Sequence, residues 1–197
     1  MPKSGDSSEV LYRGVAGGPP GAPRPPILVR TLHEDDDLAA LTSMLHRAYR
    51  VQVEMGLKPL AGRQTIEITR QRCFSGVCYV AVITENSNPE KIIGCILFQE
   101  HEDAQNPPWF RREDVGHFSL FAVDPDYQSR GIGGQILSHL EAHAREISLN
   151  HLALSMAEPD EHLMNWYLHR GYRFIEYWQW PYTNYRSAIL SKALIAP

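Results

Sequence analysis

The residues best placed to do chemistry form one short run, Gln128-Ser129-Arg130-Gly131-Ile132-Gly133-Gly134. An apolar segment, residues 118–123, and a break at Asp124-Pro125-Asp126 precede it, and a segment of helical periodicity follows. That order predicts a strand, a tight loop and a helix N-terminus. The first backbone N–H groups of a helix lack intrahelical acceptors and sit at the positive end of its dipole, so they attract phosphate. Three glycines leave no side chain in the way. The formal charges of the stretch are Asp124, Asp126 and Arg130. A bound anion must therefore be held mainly by main-chain amides, and a pyrophosphate is the natural guest.

Spacing rejects two common phosphate loops. A dinucleotide-binding fingerprint needs a third glycine where Ile136 stands, and a Walker A loop needs Gly-Lys-Ser/Thr, which is absent. What remains, Gln128-x-x-Gly131-x-Gly133 led in by Val123-x-Pro125-x-Tyr127, resembles the acetyl-CoA loop of the GNAT superfamily of N-acetyltransferases, Gln/Arg-x-x-Gly-x-Gly/Ala. Trp166-Tyr167-Leu168-His169-Arg170-Gly171-Tyr172 is similar to that family's second signature, an aromatic-Tyr pair ahead of Gly-Phe/Tyr. The resemblance covers residues 27–194 and implies a GNAT-like fold with acetyl-CoA as co-substrate and no metal. It implies cofactor contacts from Phe121, Ala122 and Val123 at the strand end, from Gln128, Ser129, Arg130, Gly131, Ile132, Gly133 and Gly134 in the loop, and from Tyr167. One position departs from the pattern: the family often has a cofactor-contacting Asn seven residues before the tyrosine, and here that residue is Asp160.

The implied chemistry is acetyl transfer from the thioester directly to a primary amine. The resemblance implies that the strand splays near Val123, where a backbone N–H polarises the thioester carbonyl. The sequence has no Gly-x-Ser-x-Gly elbow and no persuasive Cys-His pairing, which agrees with direct attack rather than a covalent intermediate. An alkylamine is almost wholly protonated at pH 7, so a base is needed. His117 and Ser119 share one face of the predicted strand 115–123, and His117 fits either that base or a hydrogen-bonded histidine beside the core. Tyr167 matches the tyrosine that serves the leaving thiolate; by spacing alone it is equally a core aromatic.

For the acceptor, Trp178, Trp180 and Tyr182 gather around the last predicted hairpin with Tyr177 and Tyr185. They read either as an aromatic wall for an amphipathic amine or as ordinary hairpin packing. Three functions remain in play: an N-acetyltransferase of a small amine, an acetyltransferase of protein lysines or N-termini, and a CoA-binding regulatory module without turnover.

The elements that must position these residues follow from hydrophobic period and turn chemistry. A strand at 27–30 leads to a helix whose first turn carries Glu34, Asp35, Asp36 and Asp37, and a second helix spans 63–73 after a linker at 55–62. Strands at 77–84 and 91–99 form a hairpin around the turn 85–90, and a loop at 101–114 precedes the strand 115–123. After the loop come a helix with Ile136, Leu137, Leu140, Ala144 and Ile147 on one apolar face, a strand at 152–156, a helix opened by Glu158-Pro159-Asp160-Glu161, and strands at 174–180 and 187–194. This order predicts an α/β (α+β) mixed central sheet with helices on both faces.

Composition narrows the field. Pro and Gly supply 11 of the first 26 residues, so residues 1–26 read as a disordered leader and 27–197 as one N-acetyltransferase domain. A net charge of −4 without a basic cluster argues against a nucleic-acid partner. No apolar run is long enough for a membrane span and no signal-peptide core is present, so the expectation is a cytoplasmic protein, with monomer and homodimer both open. Cys73, Cys78 and Cys95 suit neither a disulfide framework nor a zinc site and read as buried thiols.

If the glycine loop holds the pyrophosphate, Gly133→Asp puts a carboxylate where the phosphate belongs and abolishes acetyl-CoA binding. Calorimetric titration of the folded variant is the check, and an unchanged affinity rejects the assignment.

Overall fold

The computed structural model describes residues 12–15, 26–84, 90–101 and 104–194. Eight strands form one sheet in the order β1-β2-β3-β4-β5-β6-β8-β7: β1 (Tyr12–Val15), β2 (Pro26–Thr31), β3 (Val77–Ile83), β4 (Lys91–Gln99), β5 (Val115–Val123), β6 (His151–Ala157), β7 (Arg173–Trp178) and β8 (Ser187–Ala193). Only the β5/β6 pair is parallel. The sheet is therefore mixed, as its sequence order implies. β1 lies inside the expected leader and pairs with β2; the rest of that leader before Pro26, the tip of the expected turn (residues 85–89) and residues 102–103 lie outside the described residues.

Helices cover both faces. On one, α1 (Leu38–Ala48) and α3 (Ile66–Cys73) pack Leu41, Leu45 and Cys73 against Val80, Cys95, Leu97 and Leu120. On the other, α4 (Ile132–Glu146) and α5 (Glu161–Leu168) pack Ile136, Leu140 and Tyr167 against Ile96, Phe98, Phe118 and Leu154. α4 comes close enough to β4 that a Cβ on Gly94 would lie 2.8 Å from Ile136 Cδ1. All three cysteines are buried and free, as expected of small apolar side chains.

Helix starts differ from the sequence expectation in one instructive way. The acids at 34–37 precede α1 rather than fill its first turn. Asp37 caps the helix by accepting from Ala40 N at 2.9 Å, and Asp36 forms a two-pronged pair with Arg30 at 2.7 Å per contact. Short carboxylates compete with the backbone and favour caps over helix interiors. The expected linker 55–62 follows a further short helix, α2 (Arg50–Glu54), and holds a 3-10 turn, Leu60–Gly62. α3 starts three residues later than expected because Thr65 caps it. α5 likewise starts at Glu161 because Asp160 caps it, leaving Pro159 outside.

The irregular strand is β5. It pairs with β6 only over residues 115–118, after which β5 continues beside β4 to Val123 and β6 beside β8 to Ala157. The two strands therefore part. Between the pairs Leu97–Ser119 and Cys95–Ala122, β5 has Leu120 and Phe121 where β4 has only Ile96. This is a β-bulge, and Leu120 takes a left-handed φ of 50° in it. The thiol of Cys95 donates to the Leu120 carbonyl at 3.1 Å.

Among the described residues, no helix is long and apolar enough to cross a membrane. An ion pair ties α1 to the turn after β5: Arg47 Nη2 lies 2.7 Å from Asp124 Oδ2, and Asp124 is fully buried. Arg47→Ala removes the charged partner of a buried carboxylate and destabilises the fold by about 1–3 kcal/mol, a fall in Tm of roughly 3–10 °C. Thermal denaturation measures it, and an unchanged Tm rejects the coupling.

Candidate active site

A cleft of about 1140 Å³ opens where β5 and β6 diverge. Its floor is the bulged end of β5. One end is the glycine loop with the start of α4; the sides are α1–α2, α5 and the segment after β7.

At the loop end, Ser129 (φ 60°) and Gly131 (φ 81°) are both left-handed, and Gly131 is the N-cap of α4. A residue with a Cβ is strained in that conformation, and Gly131 is not. These two turns bring the N–H groups of Ile132, Gly133 and Gly134 to the cleft without intrahelical acceptors. Gln128 Nε2 donates to the Val123 carbonyl at 3.0 Å and ties the loop to the strand it leaves. Gly133 and Gly134 open the floor: a Cβ on Gly133 would rest 3.5 Å from Phe121 and 3.6 Å from Val123, and one on Gly134 4.0 Å from Arg170 Nη2. Arg170 is a cation that the sequence reading left out. Its guanidinium stacks 3.4 Å over Trp166. Amides, an open floor and a fixed guanidinium form a donor set that fits a diphosphate. Arg130 instead projects outward over Tyr127, at 5.2 Å.

At the centre, the Asp124 N–H donates to the Ile93 carbonyl on β4 at 2.8 Å. Alternation then points the N–H of Val123 at the opposite edge, the gap that β6 has left. Tyr167 lines this gap, 3% exposed, with Trp166 edge-on at 5.0 Å, Tyr172 at 5.5 Å and Phe118 at 6.1 Å. Burial pushes its phenol well above the ordinary value, the nearby Tyr49 and Asp160 add to this, and Arg170 opposes it. Tyr167 is thus a neutral phenol bearing its proton at every working pH. Asp160 lines the cleft, but its carboxylate is engaged: Oδ1 accepts from Leu163 N at 3.1 Å and Oδ2 from Gln52 Nε2 at 2.9 Å.

Further along β5, His117 and Ser119 share one face, opposite Gln99 and Leu97, and both line the cleft. His117 is 5% exposed and stacks flat on Phe110, with ring centres 4.3 Å apart. Trp180 and Tyr182 stack at 5.7 Å and form part of the wall, where Trp180 Nε1 donates to Ser155 Oγ at 2.8 Å. Trp178 is placed differently. β7 ends at Trp178, so strand alternation does not carry on to Trp180, and Trp178 packs on the cluster of Phe110, Val115, Ala153 and Ile189 instead of facing the cleft.

Sequence reasoning did not single out Tyr49 or Gln52. Tyr49 donates to the Phe121 carbonyl at 3.4 Å across 72 residues of chain, and Gln52 reaches Asp160. Nothing local marks these residues. Arg170, by contrast, lies four residues after Trp166, just past the C-cap of α5, and its Nη1 donates back to the Trp166 carbonyl at 3.0 Å.

A backbone gap between parting strands thus lies beside a glycine-capped helix N-terminus, two features brought together in one cleft. The family described as "Acetyltransferase (GNAT) family" matches residues 38–172, and the chain belongs to it. An S-(2-succino)cysteine N-acetyltransferase of Bacillus subtilis (strain 168) is 27% identical over 138 residues, 69% of this chain and 78% of that one. Among solved structures, a GNAT family acetyltransferase from Elizabethkingia anophelis with acetyl-CoA bound aligns with a TM-score of 0.58 at 18% identity, over 85% of this chain and 97% of that one. The ribosomal-protein-S18-alanine N-acetyltransferase from Escherichia coli aligns at 0.61 and 17%, over 87% and 96%. At these identities the two structures establish the fold.

Tyr167→Phe removes only the hydroxyl of a ring that lines the cleft. Turnover falls about tenfold or more with acetyl-CoA affinity nearly unchanged. Because the phenol of Tyr167 is pushed up, the wild-type pH profile of turnover shows no alkaline limb from it below about pH 10. Equal activity of the variant returns Tyr167 to the core.

Proposed function

We propose that the enzyme binds acetyl-CoA along the glycine loop and transfers its acetyl group to the primary amine of a small amphipathic molecule. The observation that carries the choice of acceptor is a strap across the cleft. Asn184, in the β7–β8 connection, donates through Nδ2 to the Gly56 carbonyl at 3.0 Å and accepts from Lys58 N at 2.7 Å. Arg63 Nη2 donates to the Tyr182 carbonyl at 2.7 Å. These bonds join the segment after α2 to the last hairpin, which supports an acceptor smaller than an extended peptide. The relative from Bacillus subtilis is named for a small amino-acid derivative, which agrees. The rival reading, a protein acetyltransferase, draws on the Escherichia coli neighbour, named for a ribosomal protein.

In this reading the amides of Ile132, Gly133 and Gly134, with Arg170, hold the diphosphate, and Gln128 keeps the loop on the strand end. Bound acetyl-CoA supplies the activated acetyl group. The N–H of Val123 donates to the thioester carbonyl oxygen as charge develops there. His117, through Ser119 and water, takes the proton that the amine must lose. The amine nitrogen bonds to the carbonyl carbon, the carbon–sulfur bond breaks, and Tyr167 donates its hydroxyl proton in a hydrogen bond to the departing sulfur. No residue of the chain needs to carry the acetyl group.

A panel of small primary amines and lysine-bearing or free N-terminal peptides, followed by release of the CoA thiol, tests the assignment. Small amines are expected to react with kcat/KM at least about tenfold above the peptides, a margin of about 1.4 kcal/mol. The reverse order rejects the small-molecule reading.

A further inference from the structure

At the end of the cleft away from the glycine loop stands one cation. Arg72, in the last turn of α3, lines the cleft beside Ser75 and Gln99, and Gln99 lies opposite His117, whereas the loop follows the other end of β5. Arg72 is half-buried and held from behind: its Nη1 donates to Gln64 Oε1 at 2.7 Å. Gln64 is 1% exposed and is fixed in turn by donating to Thr69 Oγ1 at 2.8 Å, to which Thr42 Oγ1 is bonded at 2.8 Å. A buried polar chain of this kind rigidifies what it holds. Here it fixes a guanidinium at the cleft wall.

Arg30, Arg47, Arg112, Arg145 and Arg186 each have a carboxylate within 4.0 Å. Among the described residues, Arg72 has none. With Nη1 committed to Gln64, the Nε–Nη2 edge is left, and that edge matches the two oxygens of a carboxylate. Among the described residues, the acids lining the cleft, Asp160 and Glu161, both belong to the start of α5, at the other end from Arg72. Its charge opposes the burial that pushes up the phenols of Tyr49, Tyr182 and Tyr185, the last to about 12, and these rings stay neutral around it.

We infer that the acceptor is an amine that also carries a carboxylate, as an amino acid does, and that Arg72 binds that carboxylate while the amine reaches toward the gap between β5 and β6. This rests on the reading of the cleft as the site of acetyl transfer. A fixed cation at the acceptor end binds an anionic amine and repels a basic peptide or polyamine. The Trp180–Tyr182 stack supplies the apolar wall beside it.

The test uses pairs of amines that differ only in the carboxylate, phenylalanine with phenethylamine and tryptophan with tryptamine. The wild-type enzyme is expected to favour the carboxylated member by at least about tenfold in kcat/KM. Arg72→Gln brings that ratio close to one, and Arg72→Lys, which keeps the charge, retains part of it. A wild-type ratio of one or below, or a ratio that Arg72→Gln leaves unchanged, overturns the inference and leaves acetyl transfer standing. Calorimetric titration of the same amino acids into the CoA-loaded protein separates the two claims. Binding that Arg72→Gln abolishes, with no turnover of any amine, upholds the carboxylate site and sinks the transfer reading. Absence of both binding and preference overturns the inference.

Discussion

Two neighbouring strands that stop pairing while both continue leave backbone donors facing a gap. Burying such donors without partners costs free energy, so the surrounding structure must hold them in place. Here the cost is met by the bulge at Leu120 and Phe121, which lets β5 keep its ladder with β4 while turning from β6. Everything that lines the site is arranged about this gap. α4 begins at one end of it, Tyr167 closes its side, and His117 lies where the two strands still touch.

The helices α1 and α2 are wired to the glycine-loop end of the cleft and to α5 through few contacts. Arg47 reaches the buried Asp124, Tyr49 the Phe121 carbonyl, and Gln52 the cap of α5. All three come from six consecutive residues at the junction of α1 and α2. That junction therefore touches the strand end, the turn before the glycine loop and the helix carrying Tyr167 at once. A shift of α1 would be felt at each of them, because packed elements transmit displacement rather than absorb it.

Much of this was legible in the sequence because it is local. The glycine spacing marked the start of α4, the alternation at 115–123 marked β5, and the signature at 166–172 marked Tyr167 and the turn after α5. The bulge was not legible: residues 115–123 read as one continuous strand, and an extra residue in a strand shows only against its partner. Nor were Tyr49 and Gln52, whose partners lie 72 and 108 residues away in the chain. Trp178 and Trp180 show the limit of periodicity. Their spacing of two places both on one face only while the strand lasts, and β7 ends at the first of them.

The hydrogen bond from Cys95 to the Leu120 carbonyl has a meaning beyond bracing the bulge. A thiolate beside a thioester would exchange with it and leave the protein acetylated on its own sulfur. Cys95 is fully buried, and burial first, then the neighbouring Cys73, pushes its thiol well above the ordinary range. It keeps its proton and gives it to a carbonyl. The sulfur directly beneath the bulge thereby serves as a hydrogen-bond donor rather than as a nucleophile.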